Sequence, residues 1–355
     1  MKRALIWISI ALLGALAMVA GFAWRVWGDL HRPFETHAEA ARVLIIEPGL
    51  GAHQILAQLE TAGVIKSAYW ARAYLSRYLD DPLLQAGEYA FTGPMSATDV
   101  LDKLVRGDVL THDVTLVEGL DMFETAHHLA ASGFGDESEF LRLVQQADLI
   151  ASFDPHASDL EGYLFPDTYS FARGTPESEI VAKLVRSFLK RFHGEVLPLL
   201  EGKPDVAIRD LVTLASIVEK ETSRGDERPV VAGVYSNRLA RRMGLFADPT
   251  VIYGLKLAGT WDGNLRRRDL EADTPYNTYR FAGLPPGPIC SPGLASLEAA
   301  AQPAEVPYFY FVSRNDGSHV FSRTLAEHNR NVEIWQKRYW RERRARERAA
   351  EQGSN

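Results

Sequence analysis

The sequence is poor in the groups that hold disulfides, metal clusters and nucleic acid. One cysteine, Cys290, occurs in 355 residues. No internal disulfide can form, and thiolate metal clusters are excluded. Lys and Arg number 39 against 46 Asp and Glu, a formal net charge of −7, so no global basic field exists to draw in nucleic acid. No His-Glu-x-x-His or comparable ligand spacing occurs, and neither a metal nor a cofactor is expected. Ser187-Phe-Leu-Lys190 fits a Ser-x-x-Lys pattern. The Lys-Thr-Gly and Ser-Asp-Asn elements that accompany it in penicillin-binding enzymes are missing, so the match is read as chance.

What is present starts at the N-terminus. Lys2 and Arg3 precede an uncharged run from Ala4 to Trp24, which Arg25 ends. About 20 apolar residues match the thickness of a bilayer core. Basic residues stay on the cytoplasmic side, so the rest of the chain is expected outside the cytoplasm. Trp24 and Trp27 suit the interfacial belt. A cleaved signal peptide is the rival reading, because Ala15-Leu16-Ala17 resembles an A-x-A site. The apolar run continues well past it, which favours an uncleaved anchor.

The remaining chain reads as α+β. Residues 1–30 are the cytoplasmic stub and anchor, and 31–42 a polar linker. A first αβ unit covers 43–112: a strand at Val43–Glu47, helices at His53–Leu59 and Ala68–Leu79, and a strand at Gly87–Phe91. A helix capped by Ser96 and stopped by Gly107 completes it. A similar order recurs in 113–190. There, strands are expected at Val114–Val117 and Glu161–Phe165, and helices at Met122–Ala131, Glu137–Gln146 and Pro176–Phe188. Asp102-Lys-Leu-Val-Arg106 and Ala182-Lys-Leu-Val-Arg186 are the most similar stretches, and the two units read as a degenerate repeat. The larger mixed domain runs to 335. It closes with strands at Tyr308–Val312 and His319–Ser322, joined through Asn315-Asp316-Gly317. Residues 336–355 form a charged, solvated tail.

Ile208–Thr222 is the most informative segment. Leu211, Val212, Leu214, Ala215, Ile217 and Val218 cover nearly the whole circumference, the mark of a buried helix. Glu219 ends the run and shares a face with Ala215 and Val212, while Glu221 points to nearly the opposite side. A carboxyl among apolar groups keeps its proton to higher pH, which suits donation to a glycosidic oxygen. Glu219 is therefore the candidate acid. An ion pair or a helix cap is the alternative use. Asp248-Pro-Thr-Val-Ile-Tyr-Gly254 is a polar turn running into an apolar strand or helix. Asp273-Thr-Pro-Tyr-Asn-Thr-Tyr279 packs aromatic and hydrogen-bonding groups together, and Gly283-Leu-Pro-Pro-Gly-Pro288 is a rigid loop. Together they suit a carbohydrate cleft. Singly, each is ordinary turn chemistry.

Ala215-Ser-Ile-Val-Glu-Lys-Glu-Thr222, Asp248–Gly254, Tyr276-Asn-Thr-Tyr279, Gly283-Leu-Pro-Pro-Gly287 and Pro307-Tyr-Phe-Tyr-Phe-Val312, in that order, resemble the YceG-like family of endolytic murein transglycosylases, also called MltG-type. The match runs from the anchor through His328-Asn329. The resemblance implies a single-pass inner-membrane protein with a LysM-like subdomain, here 43–112, and a periplasmic catalytic domain, here 113–335. It implies a catalytic glutamate at Glu219. It also implies cleavage within newly made peptidoglycan strands, ending their growth near penicillin-binding synthases. One departure is visible: Leu245-Phe246-Ala247 stands where family members tend to carry a polar residue or two. The LysM-like unit is either a glycan holder or a spacer from the membrane.

A lytic transglycosylase can work with one carboxyl group. The acid protonates the oxygen between N-acetylmuramic acid and N-acetylglucosamine, then takes the proton of the muramic C6 hydroxyl as that oxygen attacks C1. Tyr276, Asn277, Thr278 and Tyr279 are the expected glycan contacts, with Thr250 beside them. Asp248 is a candidate stabiliser of the cationic transition state, with a structural salt bridge as its equal alternative. The rival functions are a water-using muramidase, with Asp248 or Glu221 as second carboxylate, and a non-catalytic glycan-binding wall-synthesis factor.

Overall fold

The structure is a computed structural model that describes residues 2–33, 42–79, 82–203, 206–341 and 343. Most of the expected linker and tail lies outside these residues. The chain forms two compact units, Met1–Asp113 with Ser170–Thr175, and Val114–Tyr169 with Pro176–Asn355.

In the first unit α1 (Lys2–His31) precedes β1 (Arg42–Ile46), α2 (Ala52–Thr61), α3 (Ala68–Tyr78), β2 (Gly87–Phe91) and α4 (Ala97–Arg106). β1 and β2 pair antiparallel, Arg42 opposite Phe91 and Ile46 opposite Gly87. Alternation along β2 sends Tyr89 and Phe91 into a core with Ile46, Ile55, Leu59, Leu75 and Leu101. The start and stop of α4 are those read from the sequence. The Ser96 hydroxyl accepts from the Asp99 amide, the Asp99 carboxylate accepts from the Ser96 amide, and Gly107 closes the helix at φ 68°.

The second unit begins within β3 (Thr111–Thr115), followed by α5 (Met122–Ala131) and α6 (Glu137–Val144). β4 (Thr168–Ala172), which pairs with β3, leads to α7 (Glu177–Arg191). Next come α8 (Ile208–Glu221), α9 (Arg228–Ala240), α10 (Asp248–Leu257) and α11 (Leu294–Ala301). The antiparallel hairpin β5 (Tyr310–Ser313) and β6 (His319–Ser322) and then α12 (Leu325–Val332) complete it. Asn315 at φ 65° and Gly317 at φ 85° make the hairpin turn. Every residue from Leu211 to Val218 is buried. α8 packs against α9, α10 and α11, around a core of Leu214, Ile217, Val218, Val231, Tyr235, Leu245 and Tyr253.

One expected strand is absent. Glu161–Phe165 forms turns, and the strand of the second αβ unit is β4. Gly162 takes φ 86°, which breaks an extended run. The Glu161 side chain is turned inward: its carboxyl accepts from the amides of Met122 at 2.9 Å and Gly162 at 3.2 Å. Glu161 is 1% exposed. Burial pushes its pKa from 4.5 up to about 8.

A carboxyl with a raised folded-state pKa stabilises fully while it is protonated in both states. That contribution is present below pH 4.5 and is lost as pH rises toward about 8. Urea unfolding of the full chain in detergent should therefore show stability falling across this window. Glu161→Gln should flatten the fall, an effect on the order of a few kcal/mol at the upper end. An unchanged slope would remove Glu161 from the account.

Candidate active site

α8 ends with two glutamates that meet different surroundings. Glu219 lies in the last turn with its side chain 5% exposed. One carboxylate oxygen accepts from Arg228 Nη2 at 3.1 Å, and the other from the Gly293 amide at 2.9 Å. Gly293 opens α11, so Glu219 also lies at the positive end of that helix. The same Arg228 nitrogen reaches Glu118 at 3.3 Å. Burial, with the Glu219 charge beside it, raises the Glu118 pKa against the pull of Arg228. A Cβ on Gly293 would meet the Glu118 carboxyl and require that half-exposed side chain to shift. Glu219 thus takes part in an ion pair, one of the two uses considered from the sequence.

Glu221, the last residue of α8, lines a cavity of about 340 Å3 with Tyr235, Arg238, Phe246, Tyr279, Tyr310, Phe311, Leu325 and His328. The Tyr235 hydroxyl donates to Glu221 Oε1 at 2.8 Å. Burial raises the Glu221 pKa. The Tyr235 hydrogen bond opposes that rise, and the Asp248 charge adds to it. Arg238 donates to the carbonyl of Phe309 at 2.7 Å and to that of Leu245 at 2.5 Å. Its guanidinium lies 5.7–6.0 Å from the rings of Tyr235, Phe246, Tyr310 and Phe311, a cation held by aromatic faces. Burial lowers its pKa. His328 stacks on Tyr310 at 5.4 Å, and burial with the nearby Arg238 charge lowers its pKa. Rings for stacking, a carboxyl whose pKa burial raises and a cation share one concave site.

The expected glycan contacts and the candidate stabiliser Asp248 separate by position. Tyr279 lines the cavity and donates to Asp248 Oδ1 at 2.6 Å. Asp248 is exposed at the start of α10 and takes this hydroxyl in place of the salt bridge considered from sequence. Thr250, Asn277 and Thr278 are at most 2% exposed and are bonded within the protein. Asn277 donates to the carbonyls of Leu270 and Ala272 and accepts from the Tyr279 amide. Thr278 accepts from the Ala247 amide and lies 2.9 Å from the Thr250 hydroxyl. Tyr276 packs on Tyr253 with ring centroids 5.1 Å apart, outside the cavity lining. Sequence reasoning passed over Tyr235 and Arg238 and noted Phe246 only as part of the departure at Leu245-Phe246-Ala247. The signal at Arg238 was a charge within the helical run Val231–Leu239, three residues after Tyr235. Such a charge must find partners when the helix is buried.

Removing one member of a buried ion pair leaves the other poorly supported: Arg228 keeps only the longer contact to Glu118, and Glu219 only the Gly293 amide. Glu219→Ala and Arg228→Ala should each cost roughly 3–5 kcal/mol in urea unfolding of the full chain. The double variant should cost clearly less than their sum. Additive losses would mean that the two side chains do not support one another.

Residues 44–334 match the sequence profile of the YceG-like family. The chain is 30% identical over 335 residues to the Bacillus subtilis strain 168 protein named endolytic murein transglycosylase, covering 89% of this chain and 91% of that one. It is 27% identical over 358 residues to the Streptococcus pneumoniae D39 protein of the same name, spanning 92% of this chain and 64% of that longer relative. A crystal structure of a yceG-like protein from Listeria monocytogenes superposes with a TM-score of 0.55 at 30% identity, over 82% of this chain and 99% of that one. The resemblance read from five motifs is thus a match across most of the chain, and this protein belongs to the YceG-like family.

Proposed function

We propose that this chain is an endolytic murein transglycosylase, a lyase that cleaves peptidoglycan between N-acetylmuramic acid and N-acetylglucosamine, with Glu221 as its acid. Relatives of that name aligned over most of the chain support the reaction. One observation favours Glu221 over Glu219. Glu221 lines an aromatic cavity with its pKa raised, whereas both Glu219 oxygens are taken by Arg228 and Gly293. With both oxygens engaged by protein groups, Glu219 has no carboxyl oxygen turned to the cavity, whereas Glu221 lines it.

Protonated Glu221 donates to the glycosidic oxygen. The bond from the muramic C1 to that oxygen breaks, and the N-acetylglucosamine side leaves with its 4-hydroxyl. Positive charge gathers at C1. Glu221, now a carboxylate, takes the proton of the muramic C6 hydroxyl as that oxygen bonds to C1. The product carries a 1,6-anhydro end, water is not consumed, and the acid is restored. Phe246, Tyr279 and Tyr310 offer faces for sugar rings, and the Asp248 carboxylate opposes the charge at C1. Glu219 supports the end of α8 that aims Glu221. The long apolar helix Ile6–His31 anchors the chain in the inner membrane, with Lys2 and Arg3 inside and the catalytic unit in the periplasm. There it acts on growing strands close to the penicillin-binding synthases that extend them. The unit within 43–112 is LysM-like and holds glycan or sets the distance from the membrane.

Product mass spectrometry with purified peptidoglycan and the full chain in detergent tests this reading. Wild type should release anhydromuramic ends. Glu221→Gln should lower their yield by about 100-fold or more, and Glu219→Gln should keep measurable turnover. The opposite ranking would return the acid role to Glu219. Reducing ends would indicate a water-using muramidase with Asp248 as second carboxylate, and no cleavage by any form would favour a glycan-binding role. Because Glu221 must be protonated to act, kcat/KM should fall as pH rises through its raised pKa, above the ordinary carboxylate range. A fall already complete below pH 4.5 would contradict that assignment.

A further inference from the structure

The last turns of α1 belong to the first folded unit. Leu30 is part of its core, and Val26 packs against it. Three ring contacts join α1 to α3: Phe22 with Trp70 at 5.7 Å, Trp27 with Tyr78 at 5.8 Å and His31 with Tyr74 at 5.9 Å. Lys66, just before α3, pairs with Asp29 at 3.0 Å.

These contacts set a depth. The apolar run Ala4–Trp24 spans about 31 Å as a helix, close to the roughly 30 Å of a bilayer core. Phe22 precedes the end of that run by two residues, about 3 Å. A residue in ring contact with Phe22 therefore lies at the boundary between acyl chains and headgroups. Trp70 is that residue, so α3 reaches the membrane surface whenever α1 spans it.

The composition of α3 suits that level. Its sequence AYWARAYLSRY has four large aromatics, Arg72 and Arg77, and no acid. Ala71 and Leu75 face the core. Tyr69 is 72% exposed, Tyr78 58% and, beyond the helix end, Leu83 83%. Tryptophan and tyrosine favour the interface, and arginines there meet anionic headgroups. We propose that α3 is a second membrane contact: its Tyr69, Trp70, Arg72, Arg77 and Tyr78 side chains seat the first unit in the anionic headgroup layer of the bilayer that α1 crosses. The proposal rests on α1 being an uncleaved anchor. It makes the first unit a fixed base on the membrane instead of a body at the end of a free tether.

Full-length Trp24→Cys and Tyr69→Cys variants, each labelled with bimane, would be placed in phosphatidylethanolamine–phosphatidylglycerol vesicles with and without headgroup-nitroxide lipid. Both wild-type side chains are largely exposed, so the substitutions leave the core intact, and the native Cys290 is buried. Comparable nitroxide quenching at both sites is the expected result. Quenching at residue 24 but not at 69 overturns the proposal and leaves the anchor standing. No quenching at either site overturns both. Emission from residue 69 that shifts with protein concentration and ignores nitroxide lipid would assign this face to a second copy of the chain and overturn the proposal.

Discussion

The burial of α8 is the constraint from which the rest of the catalytic unit follows. A helix enclosed on every side has no solvent face for charge, yet its last turn contains Glu219, Lys220 and Glu221. Residues two apart diverge by roughly 200° around the axis, so the two carboxyls cannot share one environment. Glu219 is turned toward the starts of α9 and α11, where Arg228 and the Gly293 amide saturate it. Glu221 is turned toward Tyr235 and the aromatic cavity. Stability requires the first arrangement, because an unpaired carboxylate there would be costly. The second leaves a carboxyl on the wall of the cavity.

The same division shows how far sequence reasoning reached. Features set by neighbours along the chain were legible: the all-round apolar α8, the Ser96 cap and Gly107 stop of α4, the Asn-Asp-Gly hairpin and the bounds of α5. Features set by partners far along the chain were not. Which glutamate is neutralised depends on Arg228 and Gly293, the latter 74 residues away. The strand expected at Glu161–Phe165 had a suitable pattern. The amide of Met122, 39 residues earlier, instead draws Glu161 inward, and Gly162 turns the chain. Helical spacing gives the direction of a side chain and is silent about what waits there.

Arg238 illustrates the cost of building a polar site inside a hydrophobic unit. Its guanidinium is bound to the carbonyls of Phe309 and Leu245 and surrounded by rings. Those bonds join α9 to the segment entering β5 and to the turn before α10. The cation therefore fixes two walls of the cavity while lending positive potential to it. A neutral residue of the same bulk could fill the space but could not bind both carbonyls.

The buried threonines and Asn277 complete this frame. Thr278 holds the Ala247 amide and meets Thr250, and the Phe246 amide donates to the Thr278 carbonyl at 3.3 Å. Asn277 pins its own loop to Leu270 and Ala272. Between these anchors Phe246 takes φ 51°, a left-handed backbone that costs a bulky residue on the order of 1–3 kcal/mol. The fixed bonds on either side sustain that strain, and its result is a ring directed over Arg238 and Tyr279. The motif residues that looked like sugar contacts thus act one step behind the surface. Their hydrogen bonds hold the loops that contain Phe246, Asp248 and Tyr279. A polar motif next to a cleft is therefore ambiguous until burial is known, since the same side chains that could bind a sugar are also those best able to lock two loops together.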